Sequence, residues 1–392
     1  MNTRTPLDSG SSTVVLSVAF NDDCSCFAVG LNTGFCNFNA GVGLVQMMGK
    51  ANYVGLVGGG RQPKFPSNKL ILWDDLKSKS ALEISALTPV RGVQLSKERI
   101  VVVLQNSVRV YKFAKPPALL SAYETANNPR GLCSLGAKRI AFPGRTTGHV
   151  QLVEISTGNN SIIPAHSSAV KAIQLSPDGE LLATASETGT LIRVFATSNC
   201  ARLVELRRGI DPATIFSLAF SPSGSLLACT SDKSTLHIFD VPHPKRPSRH
   251  ARQNSSGSSS QLAPAARNGG PAEGVNTKDG RGKWGILSKI PLMPRMFSDV
   301  YSFTSAPFEV DDDSSEGGGA SSIGGGLLPL SESTTLGTSK PPKGVIGWAS
   351  EATVLVVGAG QDARWEKFVL HEGEDGRRTV YREGWKRYLA GP

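Results

Sequence analysis

Two consecutive arginines carry the most informative chemistry in the sequence. They lie in Leu206-Arg207-Arg208-Gly209. A guanidinium presents five N–H donors in a fixed fork, which matches the oxygens of a phosphate better than an ammonium does. If this stretch is extended, its period of two sends adjacent side chains to opposite sides. The pair then serves two separate pockets for phosphorylated ligands, and an ordinary solvated basic turn is the alternative that these residues alone leave open.

Residues before and after the arginine pair combine hydroxyl groups, basic groups and histidines. This mixture supplies the charge and the hydrogen-bond donors that a multiply phosphorylated ring requires. The first cluster consists of His166, Lys171, Ser186, Thr188, Thr190 and Arg193. The second cluster consists of Thr230, Ser231, Lys233, Thr235 and His237. A hydroxyl-rich turn or a lone histidine is common in any β protein, so the signal lies in the two sets together.

The clusters fall on repeats that predict how they are positioned. Residues 17–30, 172–186 and 217–231 each contain an alternating strand, a tight turn and a second apolar strand. A third strand is expected after each repeat, at 34–38, 191–195 and 236–239. Leu175 and Phe220, at corresponding positions, lie 45 residues apart, close to the period of about 40–45 residues of a WD40-type blade.

Weaker copies of the repeat occupy the rest of the chain. They lie at 69–74, 99–104, 139–142 and 353–357, and Trp73-Asp74 stands where a blade carries its WD dipeptide. Outside a low-complexity segment about 290 residues remain, which makes about seven blades of about 42 residues. We therefore expect an all-β fold, a seven-bladed WD40-type β-propeller. Blades one to six occupy 13–242, and 343–392 form the last blade and a C-terminal tail.

The segment 243–342 differs from the repeats in composition. It contains serine and glycine runs such as 254–260 and 317–319, and is expected to be a mostly disordered insertion in blade six. Basic residues dominate 243–297, whereas every charged residue from 299 to 332 is acidic. The 392-residue chain has a formal net charge of +10, which indicates an anionic partner: nucleic acid, phosphate or a membrane surface.

An apolar island, residues 284–303, interrupts this insertion. Within it Met293, Met296, Phe297, Val300 and Tyr301 follow the spacing of one helix face. We expect such a face to enter the lipid interface while nearby lysines and arginines meet anionic headgroups. The candidate membrane-inserting residues are Trp284, Ile286, Leu287, Met296, Phe297, Val300 and Tyr301. Packing of the island as a strand of blade six is the alternative.

The sequence resembles the PROPPIN family of WD-repeat propellers, which includes the WIPI proteins, and is most similar to the smaller WIPI branch and its fungal relatives. Leu206-Arg207-Arg208-Gly209 matches the family signature, and the resemblance extends over 53–76, 190–195 and 231–239. It implies binding of phosphatidylinositol 3-phosphate and phosphatidylinositol 3,5-bisphosphate. It assigns Arg207 to the first cluster and Arg208 to the second. It also implies a cytoplasmic protein, peripheral on vacuolar, endosomal and pre-autophagosomal membranes, that recruits autophagy or trafficking partners.

The resemblance further implies a protein partner. Asn21 and Asp23, in the first repeat's turn, lie where WIPI-type relatives hold a large autophagy lipid-transfer protein, although a plain polar turn explains these residues equally well. No nucleophile–base arrangement or paired carboxylates stand out, and the six cysteines include no Cys-x-x-Cys pair. We therefore expect no enzyme, cofactor, metal or nucleic-acid partner. A soluble WD40 scaffold without lipid binding is the alternative function.

Overall fold

The computed structural model describes residues 13–34, 40–60, 62–242, 300–309, 343–360 and 363–389. Every regular element within these ranges is a β-strand. The same ranges contain no helix of the length and apolarity that crossing a membrane requires. The expectation of an all-β fold is confirmed.

Within the described residues, twenty-seven strands form seven sheets. The first four sheets contain β1 (Val15–Phe20), β2 (Phe27–Leu31), β3 (Val42–Met47), β4 (Tyr53–Gly58), β5 (Lys69–Asp74), β6 (Lys79–Ser85), β7 (Gly92–Leu95), β8 (Arg99–Val103), β9 (Ser107–Lys112), β10 (Ala118–Glu124), β11 (Ser134–Leu135), β12 (Arg139–Pro143), β13 (His149–Glu154) and β14 (Asn160–Pro164). The last three contain β15 (Val170–Leu175), β16 (Leu181–Ser186), β17 (Leu191–Ala196), β18 (Arg202–Arg207), β19 (Ile215–Phe220), β20 (Leu226–Ser231), β21 (Thr235–Asp240), β22 (Val300–Tyr301), β23 (Thr304–Pro307), β24 (Val345–Ser350), β25 (Thr353–Val357), β26 (Arg364–Glu372) and β27 (Arg378–Arg387).

The sheets follow one another as the blades of a seven-bladed propeller. β1 and β2 form the first, and β3–β6, β7–β10, β11–β14, β15–β18, β19–β21 with β23, and β24–β27 form the other six. A separate buried apolar cluster joins each neighbouring pair of sheets, and one of these seven clusters joins the first sheet to the last. The ring therefore closes, which leaves no sheet face without a packing partner.

Ring closure rests on contacts between blade one and blade seven. Val15 and Gly360 exchange two backbone hydrogen bonds, with N···O distances of 2.9 and 3.1 Å. Val15 and Val18 pack in one cluster with Val357. On the other side of blade seven, the Trp348 indole donates to the carbonyl of Ala219 in blade six at 3.0 Å. Blade seven is thus fixed to both neighbours.

The turns predicted in blades five and six are present. In blade five the Gly179 amide donates to the Ser176 carbonyl at 2.8 Å, and Gly179 has a φ of +72°, a conformation that favours glycine. The Ser176 hydroxyl accepts from the Leu181 amide at 2.9 Å. Gly224 closes the corresponding turn of blade six onto Ser221. The third strands expected in these two blades correspond to β17 and β21, whereas 35–39 of blade one lie outside the described residues.

The end of the expected insertion requires a correction. Thr304–Pro307 pairs antiparallel with β21 and is the fourth strand of blade six, so residues within 243–342 belong to the propeller. Val300 and Tyr301, predicted on a helix face, instead form β22, which pairs parallel with β18 of blade five. The helical spacing of three and four residues gave the wrong prediction here, because a strand of two residues is too short to show the alternating pattern of a strand. The alternative, that the island packs as a strand of blade six, does not describe these residues either, because the fourth strand of blade six begins at Thr304, after the island ends.

Candidate functional site

The arginine pair lies at the outer end of blade five, where β18 stops. Arg207 is the last residue of β18, opposite Leu191 of β17, and the Arg208 amide donates to the Thr190 carbonyl at 3.0 Å. Leu206 packs in the cluster between blades five and six. Glu205, on the other face, pairs with Arg193, which reaches blade four. By strand alternation Arg207 faces blade four and Arg208 faces blade six, as the extended reading predicts.

Arg208 is buried and held by backbone carbonyls. Its side chain is 7% exposed, its Nε donates to the Gly189 carbonyl at 3.0 Å, and one terminal nitrogen donates to the Asp211 carbonyl. Gly189 has a φ of +61°, and a Cβ there would lie 1.7 Å from the Ala213 oxygen. The guanidinium is therefore fixed between two tight turns. These two bonds use two of its five N–H groups.

The first groove, between blades four and five, contains the first cluster. His166 is 9% exposed and its Nε2 lies 2.9 Å from the Thr184 hydroxyl. Burial and then the charge of Arg193 lower the pKa of His166 to about 4, so the ring is neutral at pH 7. Arg193 donates to Glu205 at 2.7 Å and to the Ala165 carbonyl at 2.6 Å. These partners make Arg193 a bridge between blades four and five.

The hydroxyl residues of the first groove differ in accessibility. Ser186 is buried, and its hydroxyl lies 3.0 Å from the hydroxyl of Thr188, which is exposed. Thr190 and Lys171 are half-buried. Lys171, Thr188, Thr190 and the half-buried Arg207 are thus more accessible to solvent than Ser186.

The second groove, between blades five and six, contains the second cluster except Thr230, which faces blade seven. Thr230 is fully buried, and its hydroxyl donates to the Gly344 carbonyl at 2.6 Å. Ser231 is also fully buried and accepts from the Lys233 amide at 3.4 Å. The Thr230 hydroxyl therefore connects blade six to blade seven and the Ser231 hydroxyl stabilises its own turn, whereas the Lys233 side chain is exposed.

His237 lies at the centre of a short hydrogen-bonded chain in the second groove. Its Nε2 lies 3.0 Å from the Thr235 hydroxyl and its Nδ1 lies 3.1 Å from the Ser302 hydroxyl. The ring stacks on Phe239 at a centroid distance of 6.3 Å. Burial and then the charge of Arg208 lower the pKa of His237 to about 4. Arg208 and the imidazole therefore share one electrostatic environment.

The two grooves carry positive charge that the described residues leave uncompensated. Within the described ranges Lys171, Lys233 and Arg208 form no ion pair with a carboxylate, whereas the Arg193 charge is compensated by Glu205. An anion with several oxygens satisfies both the charge and the remaining donors. Each groove thus has the chemistry of a phosphate site.

Asn21 and Asp23 take different places in the blade-one turn. Asn21 is 3% exposed, and its amide donates to Asp23 at 2.7 Å and accepts from the Cys26 amide at 3.1 Å. Asp23 is 45% exposed and pairs with Lys50 at 2.6 Å. The Lys50 ammonium and the Ser25 hydroxyl hold the pKa of Asp23 well below its usual range. Asn21 builds the turn, and Asp23 is the part that a partner can reach.

Of the predicted membrane-inserting residues, the structure describes two. Val300 and Tyr301 are 42% and 46% exposed. The remainder lie outside the described residues, namely Trp284, Ile286, Leu287, Met296 and Phe297.

Sequence reasoning missed several residues that shape the grooves. Glu205 lies two positions before Arg207, so period-two alternation identifies it as a neighbour on the same face. The same alternation places Thr184 on the face of Ser186, two positions later on β16. Ser302, and Gly344 beside Thr230, could not be identified from the sequence, because they are 65 and 114 residues from their partners and only the packing of neighbouring blades brings them close.

Comparisons with known proteins identify the family and the fold. The PROPPIN family model matches residues 74–276. SVP1-like protein 2 of Neurospora crassa is 51% identical over 434 aligned residues, covering 99% of each chain. The crystal structure of Kluyveromyces lactis Hsv2 has a TM-score of 0.69 at 21% identity and covers 96% of this chain and 99% of its own. KlAtg21, solved in complex with the coiled coil of AgAtg16, has a TM-score of 0.60 at 18% identity and covers 96% of this chain and 99% of its own.

The two structural likenesses support the seven-bladed fold alone. The family model covers more than half of the chain, and the Neurospora relative matches it almost end to end. The chain belongs to the PROPPIN family of phosphoinositide-binding β-propellers.

Proposed function

We propose that this protein is a non-catalytic adaptor that reads phosphatidylinositol 3-phosphate and phosphatidylinositol 3,5-bisphosphate on vacuolar, endosomal or pre-autophagosomal membranes. One observation carries the proposal: consecutive arginines at the end of β18 face two grooves, each with an uncompensated lysine. Family membership supports the class of ligand. The two grooves flank the same strand end, so both can meet one membrane surface.

Two-point attachment explains why two grooves are useful. The second headgroup binds intramolecularly after the first, so overall avidity exceeds the affinity of either site by a factor of about 10²–10⁴. Each charge-assisted hydrogen bond to phosphate contributes about 1.5–3 kcal/mol. The protein therefore binds a membrane in which its lipid is abundant more tightly than one in which the lipid is sparse.

Flotation with liposomes tests the proposal directly. The full chain is mixed with vesicles that contain phosphatidylinositol alone, its 3-phosphate, its 4-phosphate or its 3,5-bisphosphate. We expect flotation with the two 3-phosphorylated lipids and little with the others. Equal recovery on all four vesicles indicates a nonspecific basic surface, and no recovery on any supports a soluble WD40 scaffold.

The proposed hydrophobic half of attachment is the blade-six insertion. Val300 and Tyr301 are exposed beside the arginine pair, so the chain returns from the insertion next to the grooves. Apolar residues such as Trp284 and Phe297 then reach the lipid interface once the rim has docked. Such a contribution is insensitive to salt, unlike the screened contribution of exposed charges.

Partner recruitment forms the second part of the proposal. KlAtg21, a structural neighbour, was solved with a coiled coil of AgAtg16, which supports protein partners for this fold. We propose that an autophagy lipid-transfer protein contacts Asp23, whose side chain is accessible. Pull-down with Asp23→Ala tests this, with Asp375→Ala in an exposed turn of blade seven as the matched control. Undiminished recovery with Asp23→Ala leaves Asp23 as a turn residue only.

A further inference from the structure

Four residues connect blades five and six at the point where the chain returns from the insertion. Val300 and Tyr301 add a parallel strand to the edge of β18, where Leu206 lies opposite Val300 and Arg207 opposite Tyr301. Two residues later, the Phe303 amide donates to the Ile238 carbonyl of β21 at 3.0 Å. Residues 300–303, here called the return segment, therefore pass from the first arginine to the second cluster.

The register of the return segment repeats the alternation of the arginine pair. Residues directly opposite each other in paired strands share a face, so Tyr301 lies on the face of Arg207, toward blade four. Ser302 follows on the other face with Arg208. The structure agrees, because the Ser302 hydroxyl lies 3.1 Å from Nδ1 of His237 in the second groove.

The return segment is anchored from blade seven. The Arg378 guanidinium lies 3.8 Å from the centroid of the Phe303 ring and donates to Asp240 of β21 at 2.9 Å. The Val380 amide donates to the Thr304 hydroxyl at 3.0 Å. Tyr301 and Ser302 are therefore fixed in place relative to the grooves.

We propose that Tyr301 and Ser302 extend the arginine pair with one residue for each groove. Tyr301 contacts the headgroup in the first groove through its hydroxyl, and Ser302 is a positioning residue of the second groove that acts through His237. This inference rests on the proposed phosphoinositide function. It also gives the return segment a role in headgroup binding, separate from the membrane role proposed for the earlier residues of the apolar island.

Hydrogen-bond direction explains how Ser302 acts at a distance. A neutral imidazole carries its proton on one nitrogen and accepts at the other. If the Ser302 hydroxyl donates to Nδ1, the ring proton lies on Nε2 and donates to the Thr235 oxygen. The Thr235 hydroxyl proton is then directed away from the ring, toward a phosphate oxygen in the groove. Without Ser302 the other tautomer lets Thr235 donate to the ring, and the groove loses one donor.

Titration of the full chain with soluble inositol 1,3-bisphosphate tests both residues without a membrane. We expect two binding sites, with Ser302→Ala weakening one about fivefold and Tyr301→Phe weakening the other about fivefold, the worth of one hydrogen bond. Ser302→Thr keeps the hydroxyl and should restore binding. Ser121→Ala on β10 and Tyr381→Phe on β27 are matched controls outside the grooves and should leave both sites unchanged.

A tautomer measurement separates positioning from a general structural effect. Nitrogen NMR of the His237 ring should show the proton on Nε2 in the wild type and in Ser302→Thr, and a shift toward Nδ1 in Ser302→Ala. Unchanged affinity or an unchanged tautomer in Ser302→Ala overturns the assignment of Ser302, and unchanged affinity in Tyr301→Phe overturns that of Tyr301. If the wild type binds neither soluble headgroup nor vesicles, the proposed function falls, and this inference with it.

Discussion

The two grooves beside β18 are assembled over different distances along the chain. The first is formed by consecutive strands of blades four and five, with contacts such as His166–Thr184 and Arg193–Glu205 between residues 18 and 12 positions apart. The second joins Arg208 to blade six and depends on Ser302, which lies 65 residues from His237. The first groove is thus formed by residues close together in the sequence. The second is completed only where the chain returns from the insertion.

The grooves also differ in how their inner arginines are compensated. Arg193 faces the carboxylate of Glu205 at 2.7 Å, whereas Arg208 is held by the carbonyls of Gly189 and Asp211. Carbonyls satisfy N–H donors without cancelling the charge. We infer that Arg193 supports the wall of the first groove, while Arg208 keeps its charge for the ligand of the second.

Removal of both residues of the arginine pair should have the largest effect, because it disables both grooves. The double variant Arg207→Ala with Arg208→Ala loses one charge-assisted contact per groove, each worth about 1.5–3 kcal/mol, and it also loses two-point attachment. Its affinity for vesicles should therefore fall at least about a hundredfold. Flotation with vesicles containing the 3-phosphate measures it. Arg207→Ala alone is the matched control and should retain the second site.

Buried Arg208 calls for a stability check on that variant. Its substitution releases the carbonyls of Gly189 and Asp211, so we expect a lower melting temperature for the double variant than for Arg207→Ala. A double variant that floats as well as the wild type refutes the site assignment. A loss of circular dichroism at room temperature would show instead that Arg208 is chiefly a structural residue.

Substitutions in the apolar island should have the next largest effect and should leave both grooves intact. Trp284→Asp with Phe297→Asp removes apolar area worth about 25 cal/mol per Å² buried, and we expect about a tenfold loss of vesicle retention at high salt. Soluble headgroup affinity should not change. Ile323→Asp, in the acidic half of the insertion, is the control. Weakened headgroup binding in the second groove alone would show that the island also shapes the return segment.

Single lysine substitutions distinguish the grooves from each other. Lys171→Ala should weaken only the first site and Lys233→Ala only the second, each about fivefold for soluble inositol 1,3-bisphosphate, because an exposed or half-buried ammonium contributes a screened, single-point interaction. Calorimetric titration resolves the two sites. If both variants weaken the same site, the separation of the grooves by β18 is wrong.

The sequence predicted the fold well because the blades repeat. Strands such as β17 and β21, and the turn at Gly179, follow from alternation and turn chemistry within one blade. The opposite orientation of the arginine pair follows from the period of a strand. Neither β22 nor Ser302 was predictable, because a two-residue strand has no periodicity and its partner lies in another blade. The burial of Thr230 was likewise not predictable, since it depends on contact with Gly344 beside blade seven.

Acidification should have the smallest effect on binding and should act through the two histidines. The pKa values of His166 and His237 are both about 4, against an ordinary value of 6.5, because both rings are buried beside arginines. Both are therefore neutral above about pH 6, and headgroup affinity should change less than about twofold between pH 8 and pH 6 on their account.

The stability of the fold should respond to acid differently. As the pH falls from 6.5 toward 4, the unfolded chain takes up protons that the folded chain does not, so stability is full above 6.5 and is lost toward 4. Melting temperatures measured across this window should fall for the wild type and fall less for His166→Gln and for His237→Gln. A wild-type melting temperature that stays constant from pH 6.5 to 4, or variants that lose stability as steeply as the wild type, would show that these rings are protonated in the folded protein.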